Sequence, residues 1–228
     1  MDPKKWEAMV GGNGWGNEEH QYYTKTNAYQ DGLGHLVIEA RRETVDYDLC
    51  WYGWCEYTSA RLITYDTFSH KYGRFEARMK VPPGKGLWTA FWMMGVDEHF
   101  PLGGEIDIAE VLGKDPTTVY GSAHIPSSPT SVVSSSNPYT LPSGSLAYDF
   151  HVYAVEWRPN RLDYFLDGVR YATVTPESMP PGGTWVFNQQ PFYLILNLAV
   201  GSRFPGQPDE TTMFPADLVV DYVRVYSL

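Results

Sequence analysis

The clearest pattern in the chain is a strict alternation of apolar and polar residues over short segments. In RFEARMKV, residues 74–81, every second side chain is apolar and all of the others are charged. A period of two is typical of a strand with one buried and one exposed face. The same pattern predicts further strands at 35–41, 59–64, 88–94, 119–124, 150–157, 192–200 and 218–226. No window has convincing helical periodicity.

Turn residues divide these predicted strands. Asp167 and Gly168 lie between the apolar runs 161–166 and 169–175, and both tolerate positive φ, which predicts a β-hairpin. The 21 glycines and 17 prolines are spread along the chain and do not form a linker. We therefore expect an all-β sandwich or jelly roll that forms one domain over residues 1–228. The Ser-, Pro- and Thr-rich segment 126–145 is predicted to be a surface loop bordering a binding face.

Composition and charge narrow the classes of partner. The chain has 27 acidic and 17 basic residues and a formal net charge of −10, which would repel nucleic acid and anionic membrane surfaces. No apolar run reaches the roughly 18 residues of a membrane span. The first ten residues lack the apolar core of a signal peptide, which fits either a cytoplasmic protein or a form whose targeting segment was removed.

The aromatic and cysteine residues leave alternatives open. Eight Trp and 17 Tyr are suited to stacking on sugar rings, whose C–H faces are flat, although an aromatic core explains many of them equally well. Cys50 and Cys55 are five residues apart, with no histidine nearby at zinc-ligand spacing. They form either a local disulfide or two free thiols.

Three carboxylates interrupt the apolar segment GEIDIAEVLG, residues 104–113. Glu105 and Asp107 share one face of a regular strand, whereas Glu110 would point to the opposite face, into the core. A one-residue bulge between Asp107 and Glu110 places all three on one face. Such a row suits glycoside hydrolysis, in which one carboxylate attacks the anomeric carbon and another protonates the departing oxygen. The alternatives are a solvated acidic strand face or a cation site.

This segment resembles the active-site strand of glycoside hydrolase family 16, in the bulged form found in bacterial laminarinases. The resemblance extends through GGNGWGNEEHQYYT, YTSARLIT, YGRFEARMKVPPGKGLWTAFWMMG, DFHVYAVEW, PFYLILNLAVG and VDYVRVY. It implies a curved β-jelly roll with a concave glycan-binding cleft and endo-hydrolysis of β-1,3-glucan with retention of configuration. It further implies that Glu105 is the nucleophile, Glu110 the acid/base and Asp107 a carboxylate that tunes them.

The same resemblance extends to substrate-binding positions. Trp88 and Trp92 correspond to tryptophans on which sugars stack, with core packing as the alternative. The positions that match residues hydrogen-bonding to glucosyl hydroxyls are Asn17, Glu18 and Arg61, and a solvated salt bridge is their alternative. His124 matches a histidine close to the acid/base, where the alternative is a structural role.

Several positions depart from the family pattern. Phe100 and Phe204 stand where many relatives have Trp, which puts the fit of a glucose unit in doubt. The chain begins at MDPKKWE, and we expect it to lack the strand that usually precedes this segment in relatives, through either a cloning boundary or a natural deletion. Because that strand supplies one ligand of a structural calcium in many members, only the ligand at Asp221 is expected here. The family otherwise implies a monomeric, extracellular enzyme that needs no organic cofactor.

Two rival functions follow from the resemblance. One is hydrolysis of mixed-linkage glucan or of a galactan such as agar by an enzyme of the same family. The other is non-catalytic recognition of β-glucan on the same scaffold. Recognition proteins of that kind usually lack the catalytic glutamates, and this chain has both.

Overall fold

Two large β-sheets pack face to face in the computed structural model, which describes residues 2–44, 49–97 and 99–228. The strands in these ranges are, in chain order, β1 Glu7–Met9, β2 Gln21–Tyr23, β3 Ala28–Gln30, β4 Leu36–Arg42, β5 Leu49–Cys50, β6 Gly53–Trp54, β7 Tyr57–Ser59, β8 Arg61–Ile63, β9 Ser69–His70, β10 Gly73–Lys80, β11 Leu87–Gly95, β12 Glu105–Leu112, β13 Thr118–Ser128, β14 Ser131–Thr140, β15 His151–Arg158, β16 Arg161–Leu166, β17 Val169–Val174, β18 Phe192–Val200 and β19 Ala216–Tyr226. Among the described residues the helical content is one 3₁₀ turn, Pro176–Ser178.

The eight-stranded sheet has the order β1-β8-β18-β11-β12-β13-β14, with β9 also paired to β18. The nine-stranded sheet has the order β17-β16-β15-β10-β19-β4-β7-β2, with β3 also paired to β4. Neighbouring strands are antiparallel except β2 and β7, which are parallel. The expected all-β sandwich is confirmed. No helix among the described residues combines the length and apolar character needed to cross a bilayer.

The core lies between the sheets and is built by the inward face of each alternating strand. On β11 the residues Leu87, Phe91 and Met93 are buried in it, and Trp88, Ala90 and Trp92 alternate with this face and point the other way. Trp157 of β15 joins the two sheets, since its ring contacts Phe75 of β10 at 6.1 Å and Phe192 of β18 at 5.1 Å between centroids. The period of two in the sequence is therefore the consequence of a buried inner face on each strand.

The bulge in β12 is confirmed. Against β13 the register shifts between Asp107 and Glu110. Against β11, Phe91 pairs with Ala109 and Trp92 with Asp107, so that Ile108 is the extra residue. Ile108 and Ala109 are both fully buried in the core. The bulge thus absorbs one residue on the inner side and returns Glu110 to the outer side.

The strand predicted at 59–64 is two strands in different sheets. β7 pairs with β2 and β4 in the nine-stranded sheet, whereas β8 pairs with β1 and β18 in the eight-stranded sheet. The chain crosses between the sheets at Ala60, which is fully buried. Alternation continues through this crossing, so the pattern alone does not show it.

The prediction of a surface loop at 126–145 is wrong, because most of this segment forms β14 and the end of β13. Val133 and Tyr139 pack against the core from β14, while several of its serines face outward. An edge strand rich in serine has the amino-acid composition of a loop, but its backbone still forms hydrogen bonds with the neighbouring strand. The hairpin at Asp167 and Gly168, by contrast, is confirmed, with φ values of 50° and 80°.

The two cysteines form the disulfide Cys50–Cys55. It closes the small hairpin of β5 and β6, and both cysteines are buried beneath Tyr22 and Tyr52. Of the two alternatives left by the sequence, the local disulfide is the one the structure contains.

Replacing Trp157 by Ala should destabilise the fold by about 3–5 kcal/mol, because the ring is fully buried and bridges both sheets. Its indole N–H also donates to the carbonyl of Phe187 at 3.0 Å. Chemical denaturation measures the free energy of unfolding. Tyr148→Ala is the matched control, since Tyr148 is 84% exposed and should change the stability little. Equal stability of the two variants would contradict the assigned core.

Candidate active site

The outer side of the eight-stranded sheet carries a row of polar and aromatic side chains that we call the cleft face. It consists of the side chains of β8, β18, β11, β12, β13 and β14 that point away from the core: Arg61, Asn197, Trp88, Trp92, Glu105, Asp107, Glu110, Ser122, His124, Ser134 and Ser136. The bulge in β12 brings the three predicted carboxylates onto this face together.

Strand register arranges these residues in lines across the sheet. Asn197 of β18 is paired with Arg61 on one side and Ala90 on the other, and Ala90 is paired with Glu110. In the adjacent line Trp92 is paired with Asp107. Each acid therefore has fixed neighbours on both sides, which makes the row a rigid feature of the sheet.

Burial dominates the electrostatics of the three acids. It raises the pKa of Glu105 well above its usual range, and the charge of Asp107 adds to this. Burial and the charge of Glu110 likewise raise the pKa of Asp107. Burial and the charge of Glu105 raise the pKa of Glu110 to about 7. The row therefore retains protons near neutral pH, as is needed of a site that contains a proton donor.

His124 holds the middle acid. Its Nε2 lies 2.8 Å from Oδ2 of Asp107, and its Nδ1 lies 2.6 Å from the hydroxyl of Ser134 on β14. In register it is paired with Glu105. A positive charge on His124 would favour the ionised form of Glu105, because it opposes the effect of burial on that pKa. The sequence placed His124 near the acid/base, and the structure places its ring against Asp107.

Glu110 is held from the other direction by β13. The hydroxyl of Ser122 donates to Oε2 of Glu110 at 3.3 Å and is itself 3.1 Å from the hydroxyl of Ser136. This hydrogen bond favours the ionised form and so limits the rise in the pKa of Glu110. The segment predicted to be a loop therefore supplies Ser134 and Ser136, which support the row from its edge.

Arg61 is stacked between two tryptophans. Its guanidinium carbon lies 4.8 Å from the ring centre of Trp92 and 5.0 Å from that of Trp15. Such stacking holds the planar cation in place and leaves its edge available for hydrogen bonds. Its positive charge also favours the ionised form of Glu105.

A buried hydrogen-bond network lies beneath this stack. Asn197 accepts from the indole N–H of Trp92 at 2.8 Å and donates to the hydroxyl of Tyr23 at 3.1 Å. That hydroxyl donates to Glu19 at 3.0 Å, and the Glu19 carboxylate also accepts from Asn17 at 3.3 Å. Burial raises the pKa of Glu19 despite these hydrogen bonds. The network ties the loop of residues 11–19 to the floor of the cleft.

Sequence reasoning missed Glu19, Tyr23 and Asn197. Asn197 had a usable signal, since it is the one polar side chain in the apolar strand FYLILNLAV. A buried polar group in such a strand needs a partner. Glu19 and Tyr23 had no such signal, because they follow a glycine-rich segment without periodicity.

Trp88 forms one wall of a depression beside the row. Its ring meets Phe204 edge-on at 5.5 Å, and Phe204 contacts Tyr120 at the same distance. The depression is lined by Gly16, Asn17, Glu18, Trp88, Ser202, Arg203 and Phe204. Phe204, which replaces a family Trp, therefore still contributes an aromatic ring. The other replacement, Phe100, lies 45% exposed in the turn before β12.

Glu18 lies at the rim of this depression. Its carboxylate accepts two hydrogen bonds from Arg203, at 2.6 and 3.0 Å, in an exposed ion pair. The structure therefore brings together the predicted residues Trp88, Asn17 and Glu18. It also pairs Glu18 with the guanidinium group of Arg203. A sugar hydroxyl would have to share that carboxylate with Arg203.

The residues at Asp221 do not fit a calcium site. Oδ2 of Asp221 lies 2.7 Å from Nη1 of Arg78, and this fixed cation opposes a second one. Within residues 2–44, 49–97 and 99–228, the one group of three acidic or histidine side chains close enough to hold a metal is Glu105, Asp107 and His124.

The fold and site together identify a class of protein. A β-sandwich that presents partly protonated carboxylates beside stacked aromatic rings has the chemistry to bind sugars and cleave the bond between them. The class is that of the glycoside hydrolases.

Comparison with known proteins narrows the class to one family. Residues 16–224 match the family described as glycosyl hydrolases family 16, and the chain belongs to that family. It is 42% identical to a beta-glucanase of Rhodothermus marinus, covering 99% of this chain and 80% of that protein. It is 36% identical to glucan endo-1,3-beta-glucosidase A1 of Niallia circulans over 99% of this chain, and spans 33% of that longer protein. The laminarinase catalytic domain of Thermotoga maritima MSB8 superposes with a TM-score of 0.90 at 43% identity, covering 100% of this chain and 93% of that one.

The pKa of Glu110, about 7, predicts the alkaline side of the pH–rate profile. If Glu110 must be protonated, kcat/KM should fall about tenfold per pH unit above that value. Ser122→Ala removes a hydrogen bond that favours the ionised form, so the fall should move to higher pH. Ser131→Ala, exposed at the start of β14, is the control and should leave the profile unchanged. A fall that stays in place in Ser122→Ala would argue against this assignment.

Proposed function

We propose that this chain is the catalytic domain, residues 1–228, of an endo-1,3-β-glucanase that hydrolyses laminarin-like β-glucan with retention of configuration. The observation that carries the proposal is the bulged strand β12, which presents Glu105, Asp107 and Glu110 on one face with raised pKa values. The family membership and the similarity to glucanases and a laminarinase support the same activity.

In the first step Glu105 is the nucleophile. Its carboxylate oxygen forms a bond to the anomeric carbon while the bond from that carbon to the glycosidic oxygen breaks. Glu110 gives its proton to the departing oxygen, which leaves as a hydroxyl group of the released chain. The positive charge of Arg61 opposes the effect of burial on the pKa of Glu105 and so favours its ionised form.

In the second step Glu110 acts as a base. Once Glu105 is esterified its negative charge is gone, so the repulsion that raised the pKa of Glu110 is removed. Glu110 then takes a proton from water, whose oxygen attacks the anomeric carbon and breaks the ester. The product has the original configuration, both acids return to their starting forms, and neither step uses a cofactor. Asp107 and Glu105 share a hydrogen bond, which lowers the pKa of Asp107 and raises that of Glu105.

The cleft face supplies the means to hold a glucan. Trp88 and Trp92 of β11 present aromatic rings beside the row, while Arg61 and Asn17 offer hydrogen-bond donors. The net charge of −10 suits a neutral polysaccharide and disfavours nucleic acid and anionic membranes. The disulfide is typical of proteins that work in an oxidising compartment, which supports an extracellular location. We expect the enzyme to act as a monomer.

Non-catalytic β-glucan recognition is disfavoured by the chemistry of the site. A binding surface has no need to bury three acids together, since each buried charge costs stability unless it is paired. Here the acids are kept in place by His124 and Ser122 from the neighbouring strand. That support is what a site built for proton transfer requires.

Glu105→Gln should lower kcat on laminarin by several orders of magnitude, because the covalent step is lost while the cleft remains.

Glu110→Ala should slow the hydrolysis of laminarin far more than that of an aryl β-glucoside with a good leaving group, since that leaving group barely needs a proton. Initial rates on both substrates measure this contrast. Equal loss on the two substrates in Glu110→Ala would contradict its role as the acid.

The polymer specificity is the decisive test of the proposed activity. Laminarin should be cleaved well, mixed-linkage glucan more slowly and carboxymethyl-cellulose hardly at all, because a bent 1,3-linked chain fits a curved cleft better than a flat one. A displacement of about 1 Å at the scissile bond can reduce the rate a hundredfold. Reducing-sugar release, expressed as kcat/KM for each polymer, gives the order. Agarose is included as the galactan alternative, and a preference for agarose over laminarin would overturn the glucanase assignment.

A further inference from the structure

The disulfide-closed hairpin, residues 49–55, exposes an unusual amount of apolar surface. Trp54 is 60% exposed, Leu49 is 63% exposed and Trp51 is 49% exposed. Leu49 and Trp54 are directly paired across the two strands, so their side chains are neighbours on the same side of the hairpin. Exposed tryptophans grouped on one small element are typical of a binding surface.

The hairpin is held firmly on the protein. The Cys50–Cys55 disulfide closes it, and the hydroxyl of Tyr52 donates to the carbonyl of His20 at 2.8 Å. The rings of His20 and Tyr52 are 4.6 Å apart. A small element fixed at its base in this way presents its tip without a large entropic cost on binding.

The hairpin is also joined directly to the loop that forms the cleft. The backbone N–H of Trp51 donates to the carbonyl of Gly12 at 2.9 Å, and its indole N–H donates to the carbonyl of Glu19 at 2.8 Å. Its ring lies against Gly14, where an added Cβ would be 2.9 Å from Cδ1 of the indole. The same loop carries Trp15, which stacks on Arg61 in the cleft.

Aromatic side chains therefore continue beyond the cleft face. From Trp92 they pass through Arg61 to Trp15, and across the loop of residues 11–19 to Trp51 on the hairpin. Glu19 links the two ends, because its carbonyl holds Trp51 while its carboxylate binds Tyr23 in the network under the cleft. The hairpin therefore lies against the same loop that carries Trp15 of the Arg61 stack.

We propose that Trp51 and Trp54 form an accessory binding site for the glucan, outside the cleft, that holds a distant part of the same polysaccharide chain. The inference rests on the proposed function, since it takes its ligand from the cleft with which it is continuous. Each tryptophan offers a flat apolar ring to the C–H face of a glucosyl unit. The site adds affinity for long chains and leaves the chemistry at Glu105 and Glu110 unchanged.

Trp54→Ala is the primary test, because the side chain is largely exposed and the substitution should leave the fold intact. We expect KM for laminarin to rise about three- to tenfold, which is the effect of losing one aromatic stacking contact. kcat on laminarin should stay at the wild-type value. kcat/KM on an aryl β-laminaribioside, which is too short to extend from the cleft to the hairpin, should stay unchanged as well. Leu33→Ala is the control, since it removes an apolar side chain that is 82% exposed in the turn between β3 and β4, and it should change none of these constants by more than about twofold.

A binding measurement separates affinity from turnover. In the Glu105→Gln background, titration calorimetry with long laminarin should show Trp54→Ala weaker by the same factor, and Trp51→Ala weaker still. Thermal unfolding and sedimentation velocity of each variant accompany the titration. Because Trp51 also supports the loop of residues 11–19, only Trp54→Ala decides the outcome.

The outcomes are distinct. If wild-type protein cleaves laminarin and Trp54→Ala has an unchanged KM and affinity, the accessory site is wrong and the proposed activity stands. If Trp54→Ala changes the sedimentation coefficient by abolishing a dimer, the exposed surface serves self-association and the inference is overturned. If wild-type protein neither cleaves nor binds laminarin, the proposed function fails first, and the inferred ligand with it.

Discussion

The burial of three carboxylates on one strand is the constraint on which the rest of the site depends. A regular β12 would turn either Glu110 or the Glu105–Asp107 pair into the core, where an unpaired charge is very costly. The bulge at Ile108 avoids this by placing two consecutive residues on the inner side, where Ile108 and Ala109 fill apolar space. One extra residue thus reconciles an apolar core with a reactive outer face.

Holding these acids together requires support from strands on both sides. From β13, His124 contacts Asp107 and Ser122 donates to Glu110, and β14 supports both of them through its serines. From the opposite side, Arg61 contributes positive charge. Burial raises the pKa of both Glu105 and Glu110, and the positive charge that His124 can carry opposes that rise at both acids.

The loop of residues 11–19 connects the catalytic row to the periphery. The carboxylate of Glu19 in this loop lies under the cleft. The backbone carbonyl of Glu19 accepts a hydrogen bond from Trp51 on the hairpin closed by Cys50 and Cys55. Gly14 lies where a side chain would collide with Trp51, and its φ of 80° also favours glycine. The glycine-rich sequence of this loop is therefore needed for close packing of the hairpin against the cleft as well as for the turns themselves.

The sequence by itself determined most of the long strands, the hairpin at Asp167, the bulge and the identity of the acids on β12, because each depends on alternation or spacing within a short segment. The tertiary structure alone decided which strands are neighbours. The structure divides residues 59–64 between the two sheets at Ala60. It also shows that the serine-rich segment is a paired strand, β14, whose Ser134 contacts His124. It also paired Asp221 with Arg78, and joined Tyr23 to Asn197 across 174 positions of the chain. Alternation shows which face of a strand is buried, but partners on the other face come from distant parts of the chain, and only the sheet order brings them together.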